Sequence, residues 1–188
     1  MARGDNQIPA SPLYFTKLPG CLNRYLGIIP YPTEYRDKVL FEAELGVVMG
    51  CECYRPSRET IDDYIFGYTC VNDVTAAEPL FENKEFLQWS CAKSFPGFGP
   101  LGPWILQGIE PDKLQIQAYF DGEKKQDYPV SDMIFSPRDA VWQIAREIVL
   151  YPGDVIACGT SVGAEYMKPG QQIEILIPRL GRLLNSYL

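Results

Sequence analysis

The chain contains no histidine. That removes the commonest general base and the commonest transition-metal ligand, and with them any Ser–His or Cys–His nucleophilic pair. Acid–base work here falls to carboxylates, lysine, tyrosine or metal-bound water. Cationic side chains are also scarce: 17 Lys and Arg stand against 24 Asp and Glu, a formal charge of −7. Such a balance argues against non-specific nucleic-acid binding, which needs clustered positive charge. It leaves small anionic substrates open. No apolar run approaches the roughly 18 to 20 residues of a membrane span, and no apolar signal segment follows residues 1–7. The expectation is a cytosolic address with neither membrane nor nucleic acid as partner. Repeats and low-complexity tracts are absent too.

What is present suits one β-rich domain of 188 residues. Sixteen Pro and sixteen Gly predict many turns and few long helices. Six cysteines, at 21, 51, 53, 70, 91 and 158, are scattered, which fits buried reduced thiols better than a disulfide framework. Cys51 and Cys53 have one residue between them, against about two to four in zinc sites. Strands are expected at 13–17, 39–49, 67–72, 104–106, 114–120, 155–158, 172–177 and 181–185, with a hairpin turn at Asp121-Gly122. A short helix is expected from Ser57 to Ile65, and a longer one over 137–150 with an apolar stripe of Val141, Ile144, Ala145, Ile148 and Val149. Residues 73–78 read as a polar turn. The Gly- and Pro-rich stretch from Trp89 to the strand at Trp104 reads as an ordered loop. Trp89, Trp104 and Trp142 read as core or dimer-contact residues, and Tyr68 as core.

Within the strand at 39–49, Glu42 and Glu44 are two apart and share a face, while Phe41, Ala43, Leu45 and Val47 take the other. Adjacent like charges repel unless water screens them or a cation lies between them. An amphipathic strand with a wet polar face satisfies the first condition. Asp73, at the end of an apolar strand, supports the second. Three carboxylates with no imidazole or thiolate pair make an all-oxygen set, which suits Mg²⁺, Mn²⁺ or Ca²⁺.

The segments Phe41–Gly50, Asp63–Ala76 and Ala92–Phe95 with Trp104, then Met133–Ser136, Pro152–Thr160 and Gly181–Asn185, resemble the fumarylacetoacetate hydrolase family in order and content. The likeness covers roughly residues 12–186. It implies a mixed β-sandwich roll (mostly β with short helices, α+β) that usually forms a homodimer. It also implies a divalent cation, usually Mg²⁺ or Mn²⁺, on Glu42, Glu44 and Asp73. Lys93 and Thr160, with the backbone at Gly159, would face the substrate's 2-oxo-acid end. Lys93 would supply positive charge, or move protons if desolvation lowered its pKa. Phe15 and Lys17 match positions near the mouth of the family's site.

Three departures bear on the reaction. Hydrolytic members carry a His and a Glu on an N-terminal lid; this chain has no His, and its residues 1–11 are expected to be flexible or atypical. Ala77 and Leu80 stand where the family commonly has Arg and Gln. The expected activity is therefore metal-assisted enolate chemistry on a 2-oxo acid or related enolisable substrate: isomerisation, decarboxylation or lyase action. The alternatives are an atypical C–C bond hydrolase of acylpyruvate type, using Glu78 or metal-bound hydroxide as base, and an idle binding or partner subunit.

Overall fold

The computed structural model describes residues 8–33, 35 and 38–188. Of the segment 1–11 singled out above, residues 1–7 lie outside them. The strands are β1 (Leu22–Asn23), β2 (Ile28–Ile29), β3 (Val39–Leu40), β4 (Ala43–Met49), β5 (Ile65–Asn72), β6 (Thr75–Ala76), β7 (Gly99–Leu106), β8 (Gln115–Phe120), β9 (Glu123–Pro129), β10 (Val155–Ala157), β11 (Gln172–Ile177) and β12 (Gly181–Tyr187). The α-helices are α1 (Ala77–Phe81), α2 (Trp89–Lys93) and α3 (Pro137–Ala145).

Two five-stranded mixed sheets result, ordered β1-β7-β5-β4-β10 and β2-β12-β11-β8-β9, with a small β3-β6 ribbon beside them. Strict alternation of buried and partly exposed residues along β8, β11 and β12 turns one face of the second sheet inward. Its Ile116, Ala118, Ile173, Ile175 and Leu183 join Phe41, Leu45, Val47 and Cys70 in one apolar cluster. This is the expected β-rich fold with short helices. The β8–β9 hairpin turns where expected, and Asp121 and Gly122 both take positive φ, +47° and +82°. Among the described residues, no helix is long and apolar enough to cross a membrane.

β4 differs from the other long strands because all seven of its residues are buried. The wet polar face allowed by the sequence is therefore absent at Glu44. Gly46, next along that face, is hemmed in by its neighbours: a Cβ there would come within 2.6 Å of Val71 Cγ2 and 3.2 Å of Val155 Cγ1. Leu45 points into the core and is fully buried. Leu45→Ala is expected to cost about 2–5 kcal/mol through lost burial and a residual cavity. The check is a lowered urea midpoint with an unchanged slope.

Several local expectations need correction. Residues 13–17 form no strand, while the short helix expected from Ser57 to Ile65 is present as a 3-10 helix, Arg58–Tyr64. Residues 75–81 form β6 and α1 rather than a turn, because Thr75 and Ala76 pair with Leu40 and Val39. α2 coils within the expected loop, since its five residues end before the first breaker at Pro96. β7 begins at Gly99, earlier than expected. α3 is capped by Ser136, whose Oγ accepts from Asp139 N at 3.1 Å, but it stops at Ala145. There Arg55 N donates to the Ala145 carbonyl and Cys53 pairs with Leu150, which pulls the chain out of the helix and leaves Ile148 and Val149 exposed. Cys21, Cys53 and Cys70 are buried as expected, whereas Cys51 and Cys91 are exposed; all six are free thiols. Tyr68 is core, but Trp104 is more than half exposed.

Candidate metal centre

Register explains the site. Ala43 pairs with Asn72 and Glu44 with Val71 across the β4–β5 ladder. One step further Asp73 N donates to the Glu42 carbonyl at 2.9 Å, so Glu42 and Asp73 lie opposite one another. Directly opposed residues share a face, as do residues two apart on one strand. Glu42, Glu44 and Asp73 are thus brought together by pairing, and a carboxylate oxygen from each lies within 4.8 Å of the others. Glu44 and Asp73 are buried, and Glu42 is partly so.

Among the described residues, two ammonium groups face these carboxylates. Lys93, at the end of α2, is buried and bonds both Glu42 Oε2 and Asp73 Oδ2. Lys17 Nζ lies 2.8 Å from Asp73 Oδ1 and donates to the Val74 carbonyl at 3.3 Å. Phe15 lies beneath Lys93, its ring centroid 4.9 Å from Nζ, and stacks on Trp89 at 5.1 Å. Thr75 Oγ1 donates to Glu42 Oε2 at 3.2 Å, and Gly159 N to Glu44 Oε2 at 2.7 Å. Three carboxylates thus outnumber two cations by one charge.

The electrostatics follow from this crowding. Burial raises the Glu44 carboxyl well above its ordinary range, and Asp73 and Glu42 add to the rise; Lys93 and the Gly159 N–H only partly offset it. Burial also raises Glu42, against the opposing pull of Lys93. Desolvation pulls Lys93 down, but Asp73 and Glu42 outweigh it, and its net shift is upward. Paired with these two carboxylates, Lys93 is held as an ammonium.

The residues fit a hard divalent cation. All three donors are carboxylate oxygens, the set preferred by Mg²⁺, Mn²⁺ and Ca²⁺. Asp73 Oδ1 is buried and meets Lys17 as an ion pair outside hydrogen-bond geometry, so it keeps coordinating capacity.

Over residues 1–186 the chain matches the profile described as fumarylacetoacetate (FAA) hydrolase, C-terminal. It belongs to the fumarylacetoacetate hydrolase family. The chain is 37% identical over 179 residues to an uncharacterized protein of Methanocaldococcus jannaschii, an alignment covering 95% of this chain and 74% of that protein. With oxaloacetate tautomerase YisK of Bacillus subtilis it shares 33% identity over 192 residues, covering 97% of this chain and 63% of the relative. The crystal structure of 2-hydroxyhepta-2,4-diene-1,7-dioate isomerase from Mycobacterium marinum superposes with a TM-score of 0.88 at 32% identity, over 96% of this chain and 70% of that one. The chain thus spans 63% to 74% of the length of these three proteins.

In this member of the fumarylacetoacetate hydrolase family, the structure gathers Glu42, Glu44, Asp73 and Lys93 into one network, with Gly159 attached through its N–H. Thr160 follows immediately, its Oγ1 accepting from Gln126 Nε2 at 2.9 Å. Glu78 stands apart: it is exposed on the first turn of α1 and lines a surface cleft with Tyr35, Lys38, Phe81 and Tyr166. None of the bonds around Lys93 reaches it among the described residues. Sequence reasoning missed Gln126 and Tyr128, which brace the site from β9. The signal was their shared parity on a hairpin strand otherwise rich in charge.

Proposed function

We propose that this chain holds one Mg²⁺ or Mn²⁺ ion on Glu42, Glu44 and Asp73, and interconverts the keto and enol forms of a small 2-oxo acid or isomerises a related dienoate. The observation that carries this reading is the buried carboxylate triad with an ammonium group bonded to two of its members. When bound, the cation supplies Lewis acidity toward the substrate's carboxylate and 2-oxo oxygens.

The rest falls to the protein. Lys93 brings a second positive charge to the position where enolate charge develops. The hydroxyl of Thr160 orients the substrate carboxylate, while the Gly159 N–H holds Glu44. The stacked Phe15 and Trp89 help keep water from Lys93. With a divalent ion added, the cations of the site exceed the three carboxylates by one charge, which suits an anionic substrate. Tautomerase and isomerase activity in the names of two relatives favours proton transfer over bond cleavage. A homodimer fits the same reading, with the exposed Trp104 and Ile105 of β7 at its contact.

The test combines calorimetric titration with Mg²⁺ and Mn²⁺ and NMR observation of deuterium exchange at C3 of oxaloacetate. Metal binding with metal-dependent exchange is the expected result. No binding of either ion would sink the proposal. Cleavage of an acylpyruvate to an acid and pyruvate, without accelerated exchange, would replace it with a hydrolase.

A further inference from the structure

Gln126 is among the few fully polar side chains buried in this protein, and it lies outside the carboxylate network. Its Oε1 accepts from Ala43 N at 3.1 Å. Ala43 is the residue between Glu42 and Glu44. The Nε2 group of Gln126 donates to Thr160 Oγ1 at 2.9 Å, to the Ser161 carbonyl at 2.9 Å and to the Val162 carbonyl at 3.3 Å. The orientation of the amide is dictated by its partners: the Ala43 N–H can only donate, and the two carbonyls can only accept. Two residues along β9, Tyr128 donates its hydroxyl to the Ala43 carbonyl at 2.5 Å. Both peptide groups of the residue separating Glu42 from Glu44 are therefore gripped from β9.

We propose that Gln126 is a positioning residue that sets the distance between the Glu42–Glu44 strand and the Gly159–Val162 loop. One end of a rigid amide holds the strand and the other holds the loop. The loop's Gly159 N–H bonds Glu44 and its Thr160 is placed for the substrate, so the amide fixes the cation and the substrate carboxylate relative to each other. Tyr128 reinforces the strand end. Groups that orient ligands from behind commonly matter about 10- to 100-fold in affinity or activity.

This role rests on the functional reading above, and three variants separate the two. Gln126→Glu keeps the acceptor for Ala43 N and loses the donor for the loop. Gln126→Leu loses both. Gln126→Asn keeps both donor and acceptor on an amide one methylene shorter and remains informative where the other variants do not fold. Each is compared with the unaltered protein by thermal melting, by Mn²⁺ titration, and by titration of oxalate, a planar two-carboxylate probe, into the Mn²⁺-loaded protein.

Gln126→Glu and Gln126→Asn are expected to bind Mn²⁺ within about threefold of the unaltered protein and oxalate about tenfold more weakly. Gln126→Leu is expected to lose about tenfold in both. A uniformly structural role would lower the melting temperature without this split between metal and oxalate. Folded variants that bind both ligands as the unaltered protein does would overturn the positioning role and leave the functional reading standing. Failure of the unaltered protein to bind Mn²⁺ would overturn both.

Discussion

Glu44→Gln is expected to weaken Mn²⁺ binding by at least about a hundredfold, since affinity of oxygen sites for hard cations tracks their carboxylate charge. The same change is expected to raise the melting temperature of the metal-free protein at neutral pH. Glu44 is buried, and Asp73 and Glu42 crowd it, so its carboxyl is held well above its ordinary range. A carboxyl raised by folding favours the folded state at low pH, where it is protonated, and that contribution is lost as pH rises through its folded value. At neutral pH, glutamine removes the buried charge and still accepts from Gly159 N. The gain should shrink as pH falls toward the ordinary carboxylate range, where Glu44 takes up its own proton. Melting in the presence of a chelator across pH 5 to 8, beside Mn²⁺ calorimetry, reads both effects. A binding loss below about tenfold would remove Glu44 from the ligand set.

Lys93→Met is expected to reduce turnover by about 10²- to 10³-fold, the usual effect of removing a donor aimed at developing anionic charge. Its effect on the metal-free fold should be as plain. Removing one partner of a buried ion pair leaves charge uncompensated, at a cost of about 3–5 kcal/mol. Among the described residues, Asp73 would keep Lys17, while Glu42 would keep only the Thr75 hydroxyl. Saturating Mn²⁺ should restore much of the lost stability, because an ion that binds only the folded state stabilises it by mass action. Urea unfolding with chelator and with Mn²⁺ measures this difference. An unchanged midpoint in chelator would show that the ammonium does not balance these carboxylates.

The sequence revealed the site unevenly. Strand parity put Glu42 and Glu44 on one face, because period two is visible in any alternating run. The opposition of Asp73 to Glu42 was not visible, because the pairing register of β4 and β5 depends on a connection that includes a 3-10 helix. Lys93 was named through the family likeness, but its helix was hidden, because the Gly and Pro residues downstream masked five helical residues. Gln126 and Tyr128 looked like part of a solvated hairpin, since β9 is mostly charged and its burial comes from packing on β4. The strands β8, β11 and β12 were easy to place because each has one partly exposed face. β4 has none, and alternation there described the two sides of a strand buried throughout.

The burial of β4 has a kinetic consequence. Its amides lie in ladders with β5 and β10, and its residues are covered on both faces, so they should exchange with deuterium only when the whole protein unfolds. The ammonium groups come from less secure places: Lys17 from a stretch without regular structure, Lys93 from a single short helix. Openings of those segments require far less energy than loss of the sheet. A cation arriving from water therefore meets anions already fixed in position, and the groups that must give way to it are those held least firmly.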